Sequence, residues 1–207
     1  MGTVFFFLVS CTRAAPQIAY GFIQLVYYQT SGQIEERFSF FVLPDDEDGL
    51  EDLRELYLYH DKEGLAWSIS ADEWIIYEED GKTWIGSRGI TMLGGGVLPR
   101  GQYRAVLMDK GGEKSERSFS FDAPEKPRFP FPRLTLAQGQ YQLESQYPQN
   151  YFICYDRQGE VITTLRVTNS MGVLGDLGLP SNTGAVSLWA EDEEYMTSAY
   201  TEPLAIR

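Results

Sequence analysis

The side chains able to do chemistry are few, and their spacing narrows what they can do. The chain has one histidine, His60, and two cysteines, Cys11 and Cys154. Nucleophilic catalysis needs a nucleophile, a base and a group that orients the base. His60 stands at the end of an apolar run, directly before Asp61, where it reads as a structural or surface residue at a turn edge. Cys154 lies inside Tyr-Phe-Ile-Cys-Tyr-Asp, and a free cysteine in such surroundings behaves as a small apolar group. Zinc takes about four Cys or His ligands, more than His60 and Cys154 supply. The acidic runs Asp45–Asp48, Glu78–Asp80 and Glu191–Glu194 lack the spaced ladder of a calcium loop and read as solvated turns. Gly94-Gly95-Gly96 leads into Pro99 rather than the Gly-Lys-Ser/Thr of a phosphate loop. No catalytic residue, metal ligand set or cofactor is therefore expected. Trp67, Trp74 and Trp84 remain as candidate ligand-binding residues, because exposed indoles can stack on a sugar or anchor a protein partner.

Charge removes another class. Lys plus Arg number 17 against 30 Asp plus Glu, a formal net charge of −13. A nucleic-acid binder needs the opposite sign against the phosphates, so none is expected as a partner. The 207 residues are 43% hydrophobic and 14% aromatic, enough to build a core. That length allows one or two domains.

Val4 to Val9 form an unbroken apolar run, far short of the roughly 20 residues that span a membrane. The run ends in Leu8-Val9-Ser10-Cys11, which resembles the lipobox of bacterial lipoproteins. The resemblance implies cleavage before Cys11, a lipid on its thiol and a membrane anchor. It places the protein in the bacterial cell envelope, as an outer-membrane or periplasm-facing lipoprotein. Thr12 after the cysteine, in that family, favours the outer membrane. The chain departs from the pattern in having no Lys or Arg before the apolar run, and VFFFLV also reads as a first β-strand. Residues 1–16 are assigned to signal remnant, lipobox and tether.

The remaining sequence must position these side chains, and strand patterns dominate it. Ile18–Tyr28, Arg37–Leu43, Leu56–His60, Trp74–Tyr77, Thr83–Gly86, Tyr103–Met108 and Ser118–Phe121 read as strands. Asp80-Gly81 forms a hairpin tip. Leu50, Leu53 and Leu56, at three-residue steps, predict a turn or two of helix. Residues 124–133 (PEKPRFPFPR) hold four prolines, which cannot donate to a sheet ladder. They are read as an extended linker. Beyond it, Leu134–Ala137, Tyr141–Ser145, Tyr151–Tyr155, Val161–Val167, Val186–Ala190 and Leu204–Ile206 are the strand candidates. The expected fold is all-β, with two antiparallel β-sandwich modules, 17–123 and 134–207, joined by the Pro-rich linker. Leu56–Gly64 is similar to Tyr151–Gly159 at an offset of 95, pairing Asp61 with Asp156, as a duplication would. Leu98-Pro-Arg-Gly-Gln-Tyr103, followed by strand, Asp turn and strand, resembles the closing hairpin of immunoglobulin-like and fibronectin-III-like modules. Together these resemblances imply a non-enzymatic binding or scaffold module for an envelope protein or glycan. The alternative is a carbohydrate-binding or glycan-processing protein that uses the Trp67, Trp74 and Trp84 cluster.

Overall fold

The computed structural model describes residues 14–206. The VFFFLV run and Cys11 lie outside the described residues. Chain order begins with β1 (Gln17–Thr30), β2 (Gln33–Asp45), β3 (Leu53–His60) and β4 (Leu65–Ser70), then β5 (Ile75–Glu79), β6 (Lys82–Ile90), β7 (Gly101–Asp109) and β8 (Lys114–Phe121). After the proline segment come β9 (Arg133–Ala137), β10 (Gln140–Glu144), β11 (Gln149–Tyr155) and β12 (Val161–Arg166), then β13 (Met171–Val173), β14 (Ala185–Asp192), β15 (Thr197–Tyr200) and β16 (Leu204–Ala205). Among the described residues there is no α-helix, and the class is all-β. The helix expected before Leu56 is a single 3-10 turn at Leu50–Asp52. The period-two set Leu56, Leu58 and His60 prevails over the leucine steps, because all three are drawn into the core while β3 pairs with β7.

Two compact units divide the chain, and not at 124–133. Unit one comprises the described residues up to Gly21 with Val42–Gly86 and Tyr103–Ser118; unit two comprises Phe22–Phe41, Ser87–Gln102 and the described residues from Phe119 onward. The expected modules 17–123 and 134–207 are thus replaced by units that interleave along the sequence. The physical reason is one long-range pairing: β1 lies parallel to β15, with Leu25 opposite Thr197 and Tyr28 opposite Tyr200. Strand periodicity does not announce a partner 172 residues away. This pair also departs from the antiparallel expectation.

In unit one the sheet order is β4-β3-β7-β8. Leu56 sits opposite Leu107 and Leu58 opposite Ala105, and all four side chains are fully buried. A hairpin joins β5 to β6, from Ile75 opposite Gly86 to Glu79 opposite Lys82, with Asp80-Gly81 at its tip as expected.

In unit two the strand path runs β12-β11-β14-β15-β1-β2-β6, with β16 also on β14, and β13-β10-β9 form a smaller sheet. The sheets face each other as in a sandwich. Tyr141 of β10 meets Phe152 of β11 edge-on at 5.2 Å between ring centroids. Within the same unit, Phe121 and Phe119, from the end of β8 that belongs to unit two, meet Phe38 at 4.6 Å and Phe40 at 6.0 Å, also edge-on. Such pairs add to the burial of the rings themselves.

The proline segment belongs to unit two and is fastened there. Arg100 donates to both Glu36 oxygens at 2.8 and 2.9 Å, and also to the carbonyls of Ala123 and Pro124. Phe129 then packs edge-on against Tyr147 at 5.2 Å. The segment bends at 125–126 and at 128–129 and takes no place in a sheet before Arg133, and it is not a free linker.

The sequence match between Leu56–Gly64 and Tyr151–Gly159 is out of register in space. Leu56 and Leu58 are buried, whereas in β11 it is Phe152 and Cys154 that are buried. A one-residue slip reverses every side chain of a strand. A bulge at Cys154/Tyr155 restores the phase by the turn.

Candidate functional site

Because Leu56, Leu58 and His60 turn inward, Tyr57 and Tyr59 turn outward on the other face of β3. Cross-strand pairing sets Tyr57 beside Val106 and Tyr59 beside Arg104. The two tyrosine rings stack at 5.9 Å. The Arg104 guanidinium lies 4.7 Å from the Tyr59 ring centroid and donates to both Asp61 oxygens at 2.8 and 3.0 Å. Glu116 of β8 closes the group at 3.3 Å. Hydrogen bonding from Arg104 holds the Asp61 carboxyl below the usual carboxylate range. A hydrogen bond to Glu55 pushes the Tyr57 phenol up. Planar, half-exposed rings beside a fixed guanidinium can receive a partner's apolar or polar side chains. These residues were not among the sequence candidates, yet the signal was present in Leu-Tyr-Leu-Tyr, whose alternation presents tyrosine on one face.

His60 is 1% exposed and its ring lies 4.8 Å from that of Tyr103, so of the two readings at a turn edge the surface one is corrected and the structural one fits. The chain continues past His60 into the 3-10 turn Asp61–Glu63, which leaves the imidazole in the core. Trp67 on β4 packs near the same Tyr103 at 6.3 Å. Trp84 on β6 stacks almost parallel with Tyr77, at 6.2 Å and 8°. Trp74 precedes β5, where its backbone N–H donates to the Ser70 carbonyl. All three indoles are half-buried. Trp67 and Trp84 thus take different aromatic neighbours. Cys154 is fully buried, and burial pushes its thiol up. Among the described residues no three metal-ligating side chains gather.

Unit two has an open cleft of about 460 Å³, lined by Tyr155, Asp156, Arg157, Gly184 and Pro203 among others. Asp156 is committed to its own turn, where Oδ1 accepts the N–H groups of Gln158 and Glu160 at 2.8 and 2.9 Å.

Comparison with known proteins gives little to set beside this geometry. No protein-family model matches the chain, and no curated protein matches it. Among solved structures it is similar to dimeric latent PorU from Porphyromonas gingivalis, at 12% identity and a TM-score of 0.36 over 92% of this chain and 20% of that one. It is also similar to the central fibronectin-III array of RIM-binding protein, at 14% identity and a TM-score of 0.22 over 95% of this chain and 64% of that one. The chain therefore spans less than two thirds of either, and at these TM-scores neither likeness assigns a family or a function.

Proposed function

We propose that the chain is a non-enzymatic binding or scaffold module, held at the bacterial cell envelope by a lipid on Cys11. The observation that supports binding is the outer face of β4-β3-β7-β8. There Tyr57 and Tyr59 stack half-exposed, and Arg104 is fixed over Tyr59 by Asp61. Tyrosine and arginine are the side chains from which interface anchors are built. The anchor rests on Leu8-Val9-Ser10-Cys11, and the partner is an envelope protein or a glycan. The glycan reading draws on a second observation: the parallel Tyr77–Trp84 pair is a platform of the kind that stacks on sugar rings.

Separate measurements test the anchor and the binding face. The full chain, expressed in a bacterial host, takes up labelled palmitate and partitions into detergent, and Cys11→Ala abolishes both. Unchanged uptake in Cys11→Ala refutes the anchor. Cross-linking in intact envelope yields a set of partners that Tyr59→Ser depletes and Trp84→Ala leaves alone. The reverse pattern, with retention on a glycan array lost in Trp84→Ala, refutes the outer face in favour of the sugar platform.

A further inference from the structure

One buried carboxylate in unit two is incompletely matched. Asp192, the last residue of β14, is 2% exposed, and its Oδ2 accepts no hydrogen bond. Its nearest cation is Arg128 of the proline segment, with Nη1 at 3.6 Å, beyond hydrogen-bonding distance. Arg128 also lies 4.0 Å from the Tyr195 ring centroid and 4.0 Å from a Glu194 oxygen. A buried acid, a second acid and an aromatic face on one short turn make the surroundings that a guanidinium prefers, since it pairs with carboxylates and stacks on rings at once. The floor beside it is polar as well. Tyr27 is 4% exposed with an unbonded hydroxyl, and both Tyr27 and Asp192 help burial to push the Tyr147 phenol up. A buried polar atom without a partner is costly, so the closed arrangement is imperfect where Arg128 enters it.

We propose that the Asp192–Tyr195 turn is an arginine-binding site, filled imperfectly by Arg128 of the chain's own proline segment, from which an arginine of a partner protein displaces it. The net charge of −13 favours a partner that brings cations. Arg128 is suited to being displaced, because its side chain is 43% exposed and rides on a segment whose prolines cannot take a place in a sheet ladder. This inference requires neither the lipid on Cys11 nor the Tyr57–Tyr59 face.

The probe is a labelled peptide with the sequence of residues 124–133, Pro-Glu-Lys-Pro-Arg-Phe-Pro-Phe-Pro-Arg. A site occupied from within binds an outside ligand more weakly, in proportion to the fraction of time it stands open. Full-chain Arg128→Ala should therefore bind the peptide about tenfold or more tighter than the unaltered chain, read by fluorescence anisotropy. Binding should be lost when the peptide itself carries Arg128→Ala, or when Asp192→Asn is added to the chain. Equal affinity for the unaltered chain and Arg128→Ala overturns the proposal, as does binding that survives Asp192→Asn. Should Arg128→Ala fail to fold, the unaltered chain decides. Excess peptide should speed amide hydrogen exchange across its own 124–133 segment, and no change in exchange at saturating peptide overturns the proposal.

Discussion

Each unit contains the same four-strand arrangement, with the turns exchanged. In unit one the hairpins β3–β4 and β7–β8 place their first strands at the centre, Leu56 opposite Leu107. In unit two β11–β12 and β14–β15 do likewise, Phe152 opposite Leu188. β7 and β11 are followed by one kind of turn: Asp109 Oδ1 accepts the Glu113 N–H at 2.8 Å, and Asp156 Oδ1 accepts the Glu160 N–H at 2.9 Å. β3 and β14 are followed by the other kind, a 3-10 turn closed by a left-handed residue, Gly64 or Met196. The consequence falls on β7 and β14, which hold the same place and both end on a buried aspartate, Asp109 and Asp192. Asp109 is satisfied on one oxygen by its own turn. The turn after Asp192 offers it no such N–H, and the carboxylate is left to Arg128. An exchange of turn type, with the strands unchanged, thus turns a carboxylate that caps its own turn into a buried one whose cation comes from another segment.

The sharpest break of this comparison would be unequal cores. Phe152 and Leu58 are both fully buried on central strands. Phe152→Ala should cost about 3–5 kcal/mol and Leu58→Ala about 2–5 kcal/mol in urea unfolding. A loss far below this at either position would mean that its sheet is not a true core layer.

Smaller effects are expected where the two first strands end. His60→Ala removes a buried ring from Tyr103 and should cost about 1–3 kcal/mol, as interior substitutions commonly do. Cys154→Ser places a hydroxyl in an apolar site and should cost about 1–3 kcal/mol if the hydroxyl finds no acceptor. The thiol also sets a pH dependence. Its folded pKa is raised, so the contribution is fully present below the unfolded value near 8.5 and declines as pH rises beyond it. Cys154→Ser should flatten the alkaline side of the stability profile, and an unaltered alkaline decline would show that another group governs it.

Much of this was legible in the sequence, for physical reasons that also mark its limit. Alternation in Val161–Val167 and Leu56–His60, and the Asp80-Gly81 tip, are local signals and became β12, β3 and the β5–β6 turn. β15 was missed because Thr197–Tyr200 owes its strand to pairing with β1 and β14, not to its own pattern. The units were misdivided for the same reason. Proline content predicted an extended 124–133 but said nothing of Arg128 reaching Asp192, because an ion pair 64 residues apart leaves no period to read. The indoles stand out by residue type alone, whereas the outer face of β3 is marked only by the faces its tyrosines take.

The smallest expected effect tests the turn exchange most directly. Gly64 and Met196 close equivalent 3-10 turns in nearly the same left-handed conformation, φ 64°, ψ 30° and φ 49°, ψ 42°. That region costs a residue bearing a Cβ roughly 1–2 kcal/mol and costs glycine little. Gly64→Ala should therefore destabilise by about 1 kcal/mol, since nothing crowds the added Cβ and only the backbone resists. Met196→Gly should run the other way. Its side chain is 40% exposed, so truncation removes some apolar contact while it relieves the backbone. The greater freedom of glycine in the unfolded chain takes back part of that gain. The net should be a stabilisation of about 0.5 kcal/mol, the balance of those opposed terms. Matched urea titrations of the two variants decide it. Opposite signs establish the turns as equivalent, whereas destabilisation by both would mean that Met196 is held by packing rather than tolerated in a place built for glycine.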